Sequence, residues 1–283
     1  MKFLYVTDLH GHHEKYKKVL AAAKRGRVQA VVNGGDMLPK SGALHDQLNF
    51  MFNFMDKQFQ AYEEAKIHYL CMMGNDDIKA FDPDFQELCN RYKYVHNIAF
   101  KKTIIDTYEF IGFNLVPDYP FTLKDRCRKD MQQWRCPKQL GKAITSNREG
   151  FDKISHWFDH VSSLPTIKDE LQNLPKPKSF RKAIYVIHCP PALVGLDECM
   201  RGERVGSFAV HKFIEKKQPL LTLHGHIHEG PYTTGLYSAH IGNTLCIQPG
   251  QMQKLTYVSI VVEKGKVNYR IRKLSKIGER GLW

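Results

Sequence analysis

Residues 2–10 read Lys2-Phe3-Leu4-Tyr5-Val6-Thr7-Asp8-Leu9-His10. A short apolar run of strand character ends in a polar loop that offers Asp8 and His10 with one residue between them. Working outward, the same design recurs four times. Residues 29–33 run into Gly34-Gly35-Asp36, and residues 67–72 into Gly74-Asn75-Asp76-Asp77. Residues 183–187 deliver His188, and residues 220–223 lead to Gly225-His226-Ile227-His228. Each loop is therefore expected at the C-terminal end of a β-strand, the edge at which open α/β sheets place their ligands.

The segments between these strands have helical periodicity. Residues 13–23 read as a helix, and residues 44–65 carry apolar positions 44, 48, 51, 52, 55, 59 and 62, the i, i+3/i+4 spacing of an amphipathic helix. Strand and helix alternate through residue 92, which predicts βαβ units in a largely parallel sheet. Residues 100–105 and 108–113 then read as paired strands. Residues 117–145 are irregular, and 151–161 reads as a helix. Another helix is expected over 207–217, and strands over 244–247, 255–262 and 266–272. No repeat or linker divides the chain, so the expectation is one domain over 1–283 with a two-sheet core and an inserted segment at about 114–180.

Composition bounds the function. Hydrophobic residues make up 42% and charged residues 25%, as in ordinary globular proteins. No apolar stretch approaches the roughly 18 residues of a membrane helix, and the first residues lack a signal-peptide core, so a cytoplasmic protein with no membrane partner is expected. The seven cysteines are scattered without a C-x-x-C pair, which favours free thiols. A net charge of +13 favours anionic partners such as phosphorylated metabolites or nucleic acid, although a dispersed basic surface has the same composition.

The five loops hold carboxylate, amide and imidazole donors together, a mixture suited to first-row divalent metals. Asp8, His10, Asp36, Asn75, His188, His226 and His228 are too many ligands for one tetrahedral ion. Two ions sharing the Asp36 carboxylate, about 3.5–4 Å apart, accommodate all seven. Mn²⁺ is the expected metal, with Fe²⁺, Zn²⁺ and Ni²⁺ also compatible. His224, in a strand, is expected to be a packed or hydrogen-bonded core residue.

The ordered set D-x-H, G-D, G-N-D-D, H and G-H-x-H resembles the calcineurin-like metallophosphoesterases, whose pattern has G-N-H-E/D in the third loop. The later half is most similar to Icc-like predicted phosphoesterases, through His188-Cys189-Pro190-Pro191, residues 202–207 (GERVGS), residues 223–229 (LHGHIHE) and Ile247-Gln248-Pro249-Gly250. The resemblance implies an α/β fold, a two-sheet αββα sandwich of mixed sheets flanked by helices. It also implies Asp8, His10, Asp36 and His228 on one metal, and Asp36, Asn75, His188 and His226 on the other. Hydrolysis would then proceed by in-line attack of a hydroxide bridging the two ions.

The departure is Asp76, which stands where the family has the histidine that protonates the leaving oxygen, with Asp77 as its acidic neighbour. A carboxylate there repels a phosphate dianion more than a diester monoanion. Asp76 and Asp77 as catalytic residues thus point to phosphodiester or phosphoanhydride bonds rather than alkyl monoesters. Residues 119–138 interleave Tyr119, Phe121 and Trp134 with Lys124, Arg126, Arg128, Lys129 and Arg135, as in surfaces that stack bases and neutralise phosphates. Arg126 and Arg128, with Arg204 and Ser207, are the expected substrate contacts, and a small nucleotide-like molecule is the expected substrate. A nuclease or phosphomonoesterase using the same site, or a non-catalytic scaffold, are the alternative readings.

Overall fold

The computed structural model describes residues 1–40 and 44–274, so the last residues of the 1–283 reading lie outside it. In chain order, β1 (Lys2–Val6), α1 (His13–Gly26), β2 (Ala30–Asn33), α2 (Leu44–Phe50), α3 (Asp56–Ala65), β3 (His68–Cys71), α4 (Asp82–Asn90) and β4 (Val95–Asn97) come first. The hairpin of β5 (Lys102–Ile105) and β6 (Tyr108–Phe113) follows. Two small pairs come next, β7 (Val116–Pro117) with β8 (Cys127–Arg128), and β9 (Ile144–Ser146) with β10 (Phe151–Lys153). After α5 (Trp157–Ser163) and α6 (Ile167–Gln172) the chain forms β11 (Ala183–Ile187), α7 (Phe208–Lys217), β12 (Leu221–Leu223) and α8 (Gly230–Thr234). It closes with β13 (Ser238–Ile241), β14 (Thr244–Ile247), β15 (Thr256–Glu263) and β16 (Lys266–Lys273).

Two six-stranded sheets result, ordered β16-β15-β1-β2-β3-β4 and β13-β14-β12-β11-β6-β5. Strands β1 to β4 are parallel, as are β6, β11, β12 and β14, while β15, β16, β13 and β5 run antiparallel to their neighbours. Central strands are buried on both faces, and side-chain alternation assigns each residue to a layer. Phe3, Tyr5, Ala30, Val32, Ile184, Val186, Leu221 and Leu223 face the space between the sheets. Leu4, Val6 and Val31 turn outward beneath α1 and α3, while Ala183, Tyr185 and Ile187 turn outward beneath α7 and the inserted segment. Tyr5 Oη crosses the interface and donates to the His224 carbonyl (2.8 Å), fixing one sheet against the other.

Two local expectations need correction. The helix read over 151–161 begins only at Trp157, because residues 151–153 pair with 144–146 across a turn. Asn147 Oδ1 caps that turn by accepting from the amides of Glu149 and Gly150, a local bond that competes with helix. The helix over 44–65 contains a π-helical turn at Met51–Met55, which shifts its buried stripe. In the inserted segment, α6 begins at a capping box formed by Thr166 and Asp169 that periodicity did not reveal.

Candidate metal centre

All five loops leave the sheets at the same edge, where the two sheets meet. The bonds between loops are specific. Asp8 N–H donates to the Gly35 carbonyl (2.9 Å), and His226 N–H donates to Asp8 Oδ1 (3.1 Å). His188 Nδ1 bonds the Gly34 carbonyl at 2.8 Å, which leaves Nε2 free to face a ligand. Asp76 N–H donates to Asp36 Oδ1 (2.8 Å). Gln248 Nε2 donates to the carbonyls of Gly225 and Ile227, holding the loop that offers His226 and His228.

Two glycines permit this approach. A Cβ on Gly74 would lie 2.2 Å from both N and Oδ1 of Asp36, and one on Gly225 would lie 2.2 Å from Thr7 Oγ1. Four of the ligand candidates hold left-handed backbone: Asp8 (φ 55°), His10 (43°), Asp36 (51°) and His226 (69°). Such conformations cost L-residues free energy and gather where side chains must be aimed.

The seven expected ligands come together as two clusters. Asp8, His10, Asp36 and His228 place one ligand atom each within 4.8 Å of one another, and Asp36, His188 and His226 do the same. Asn75 joins the second cluster, with Oδ1 2.9 Å from His188 Nε2. Other donor separations are 3.0 Å for His10 Nε2 to His228 Nε2, 3.4 Å for His228 Nε2 to Asp8 Oδ1, and 3.4 Å for His188 Nε2 to Asp36 Oδ2. A cation with bonds of about 2.1 Å separates its donors by about 3.0 Å at right angles and about 3.4 Å at tetrahedral angles. The residues therefore fit a pair of divalent ions. Asp8 Oδ2 and His10 Nδ1, both buried, have no hydrogen-bond partner among the described residues, and the Asp8 oxygen is one that a bound cation would satisfy.

Charge inside the cluster is balanced between the two residue types. Burial raises the Asp36 carboxyl, but the charge and hydrogen bond of His188, with His10, overcome it and hold Asp36 well below the usual carboxylate range. Burial lowers His188, yet Asp36 and then Asp8 raise it to about 9. Burial, followed by the charge of His188, pushes His226 down to about 3. His228 is raised overall because Asp8 outweighs its burial.

The third loop departs from expectation. Asp77 does not contact Asp76 by its carboxylate; it accepts from the amides of Met37 (3.0 Å), Leu38 (2.8 Å) and Gly74 (2.7 Å). It therefore ties the second and third loops together. Burial and then the charge of Asp36 raise it to about 7. Asp76 Oδ1 accepts from the Asn75 amide, and Oδ2 pairs with Lys40 Nζ at 2.8 Å. Sequence reasoning missed Lys40, although it lies four residues after Asp36 in the same loop.

The expected substrate contacts are mostly engaged elsewhere. Arg126 is buried, bonding the Gly74 carbonyl (2.8 Å) and both oxygens of Asp82. Arg128 faces Glu170 and the Cys127 carbonyl. Ser207 is the buried N-cap of α7 and donates to Asp130. Arg204 is exposed and pairs with Glu198. Substrate contact by Arg126, Arg128 or Ser207 would require breaking these bonds. In residues 119–138 aromatics and cations separate: Lys124 is buried against Asp118, and Trp134 stacks on Phe158. Tyr119 is the aromatic of this stretch that approaches the centre, with its ring centroid 6.0 Å from that of His226. His224 is buried and bonded to Ile187, Cys189 and Thr222, as expected of a core residue.

The calcineurin-like phosphoesterase profile matches residues 1–230. The chain belongs to this family. Such phosphoesterases supply the αββα sandwich seen here, typically use two divalent metals, and support phosphoric ester hydrolysis. No curated protein matches the chain in sequence. Among solved structures it is similar to TT1561 of Thermus thermophilus, at 16% identity and a TM-score of 0.58 over 95% of this chain and 97% of that one. It is also similar to a dimetal phosphatase from Danio rerio, at 10% identity and a TM-score of 0.54 over 96% of both chains. At these identities the likeness is one of fold.

Proposed function

We propose that this phosphoesterase uses two divalent ions, manganese by preference, to hydrolyse phosphodiester or phosphoanhydride bonds of a small nucleotide-like substrate. The observation that carries the reading is the convergence of Asp8, His10, Asp36, Asn75, His188, His226 and His228 into two clusters that share Asp36. Asp8, His10, Asp36 and His228 would hold one ion, and Asp36, Asn75, His188 and His226 the other. Bound there, the ions would supply an activated water and neutralise phosphoryl oxygens.

The protein's own groups do the rest. His188 is oriented by the Gly34 carbonyl, and Asp36 by the Asp76 amide. Tyr119, beside His226, offers an aromatic wall, with the exposed Phe121 ring 5.9 Å beyond it. That pair would suit a planar base. Asp76 supports the diester preference, because in place of a donor imidazole it presents a carboxylate paired with Lys40. The complete ligand set argues against a scaffold role. No described helix is long and apolar enough to cross a membrane, and seven free cysteines support a cytoplasmic setting.

The test is a substrate panel with Mn²⁺-loaded protein, comparing bis(p-nitrophenyl) phosphate, p-nitrophenyl phosphate, cyclic nucleotides, nucleoside diphosphates and short oligonucleotides. A higher kcat/KM for diesters or anhydrides than for the matched monoester is expected. The reverse order would remove the diester reading, and steeply salt-dependent cleavage of oligonucleotides would replace it with a nuclease.

A further inference from the structure

We propose that Lys40 is a substrate-contacting residue, its ammonium reaching the phosphoryl oxygens of a phosphoester at the metal centre, and that Asp76 is its positioning residue. The inference rests on the phosphoesterase reading above and assigns a cation to the third loop, whose family histidine is here Asp76.

An isolated surface ion pair would be weak evidence, since such pairs contribute little and exchange partners freely. This one is built into the scaffold. Gln47, 5% exposed, donates from Nε2 to both the Pro39 carbonyl (3.0 Å) and the Asp76 carbonyl (3.0 Å), while its Oε1 accepts from the Ile78 amide (2.8 Å). The residue before Lys40 and Asp76 itself thus hang from one buried amide. The Asp77 carboxylate adds a second clamp between the same loops, through Met37, Leu38 and Gly74. Lys40 Nζ then meets Asp76 Oδ2 at 2.8 Å, with the lysine side chain 59% exposed and the aspartate 20% exposed. Asp76 is in turn bonded through its amide to Asp36, the shared ligand of both clusters.

The ammonium is therefore held at the solvent side of the centre, on a stem long enough to follow an arriving anion. Through Asp76, Lys40 is one hydrogen bond removed from Asp36 and adjoins Asn75, both of them candidate ligands. Arg126 and Arg128, the other cations expected to meet substrate, are turned to Asp82 and Glu170. Lys40 is thus the described cation tied directly to the third loop and open to solvent. A lysine acts as a compact charge with three donors, suited to phosphoryl oxygens of differing geometry.

The experiment uses Mn²⁺-loaded full-length protein and the variants Lys40→Met, Lys40→Arg, Asp76→Asn and Lys40→Met/Asp76→Asn. Three readouts are taken: metal content, affinity for inorganic phosphate by calorimetry, and kcat/KM for bis(p-nitrophenyl) phosphate. Lys40→Met is expected to keep its metal while losing about tenfold or more in phosphate affinity and kcat/KM, the scale of one charge-assisted hydrogen bond. Lys40→Arg should recover a substantial part. Asp76→Asn should weaken both quantities in the Lys40 background and have no further effect on Lys40→Met. Unchanged phosphate affinity and kcat/KM in Lys40→Met, with active wild type, would overturn the proposal and leave the phosphoesterase reading standing. Equal costs of Asp76→Asn in both backgrounds would overturn the positioning role. Lys40-dependent phosphate binding by a wild type inactive on every phosphoester would sink the enzymatic reading while supporting the contact.

Discussion

His188, at the end of β11 in one sheet, places Nε2 3.4 Å from Oδ2 of Asp36, at the end of β2 in the other. The pair joins the two halves of the sandwich at the point where the two clusters of candidate ligands meet. Asp36 raises His188 to about 9 against the opposing effect of burial, so the imidazole is protonated at neutral pH until a cation replaces its proton.

Metal loading should therefore release protons. The sign follows from the requirement that a ligating imidazole be neutral. Below pH 9 a bound proton competes with the ion at His188, and above it the competition ends. Affinity for Mn²⁺ at the cluster that holds His188 should rise by roughly tenfold per pH unit between about pH 7 and 9 and then flatten. Calorimetry in two buffers of different ionisation enthalpy would count the protons. A pH-independent affinity with none released would show that His188 is neutral before the ion binds.

Replacing Asp36 by Asn tests the shared ligand directly. The amide keeps the shape but lacks the charge that both clusters use and that sustains the His188 proton. Both ions should be lost together, with an affinity decrease of about a hundredfold or more, beyond the 10–100-fold typical of supporting residues. In the apoprotein the His188 titration should move down from about 9, as NMR of the ring protons would show. Retention of one ion at wild-type affinity would mean that the clusters do not share Asp36.

The sheet edge and the loops that carry the candidate ligands were legible in the sequence because each loop follows a strand within a few residues. Strand ends are marked by apolar runs, so the positions of Asp8, Asp36, His188 and His226 could be read without knowing how the strands pair. Partnership was not legible. Whether Arg126 meets substrate or Asp82, or Asp77 faces Asp76 or three backbone amides, depends on loops brought together from about 40 positions apart. The inserted segment was hardest to read, since its strands are two or three residues long and its order comes from side-chain bonds such as Asn147 to its own turn. Lys40 escaped for the same reason: what marks it is Gln47, whose bonds span both loops.

The inserted segment should depend on a single buried ion pair. Lys124 Nζ lies 2.7 Å from Asp118 Oδ1 with both side chains fully buried, and Asp118 Oδ2 also accepts from the Trp157 indole and the Gln139 amide. Lys124→Ala would leave the carboxylate without its counter-charge and should cost about 3–5 kcal/mol, the usual penalty for breaking a buried pair from one side. Lys124→Met combined with Asp118→Asn, which removes both charges, should cost less. Urea denaturation followed by tryptophan fluorescence would read this, because Trp157 belongs to the network. A double variant less stable than Lys124→Ala would contradict the electrostatic account.

The left-handed backbone at the ligand loops predicts a trade between stability and metal binding. His10 has φ 43°, and because Gly and Ala both remove its largely buried imidazole, the cavity left is nearly the same in the two variants. At most positions Ala is more stabilising than Gly, because Gly loses more freedom on folding. At φ near 43° the order should reverse, since a Cβ in this region costs roughly 1–2 kcal/mol. In EDTA, His10→Gly should be more stable to urea than His10→Ala by about 1 kcal/mol, while both bind Mn²⁺ more weakly than wild type. Position 10 then holds a strained conformation that aims its imidazole into the candidate metal centre. If His10→Ala proved the more stable of the two, the backbone would be relaxed there, and the strain would have to be sought at Asp8, Asp36 or His226.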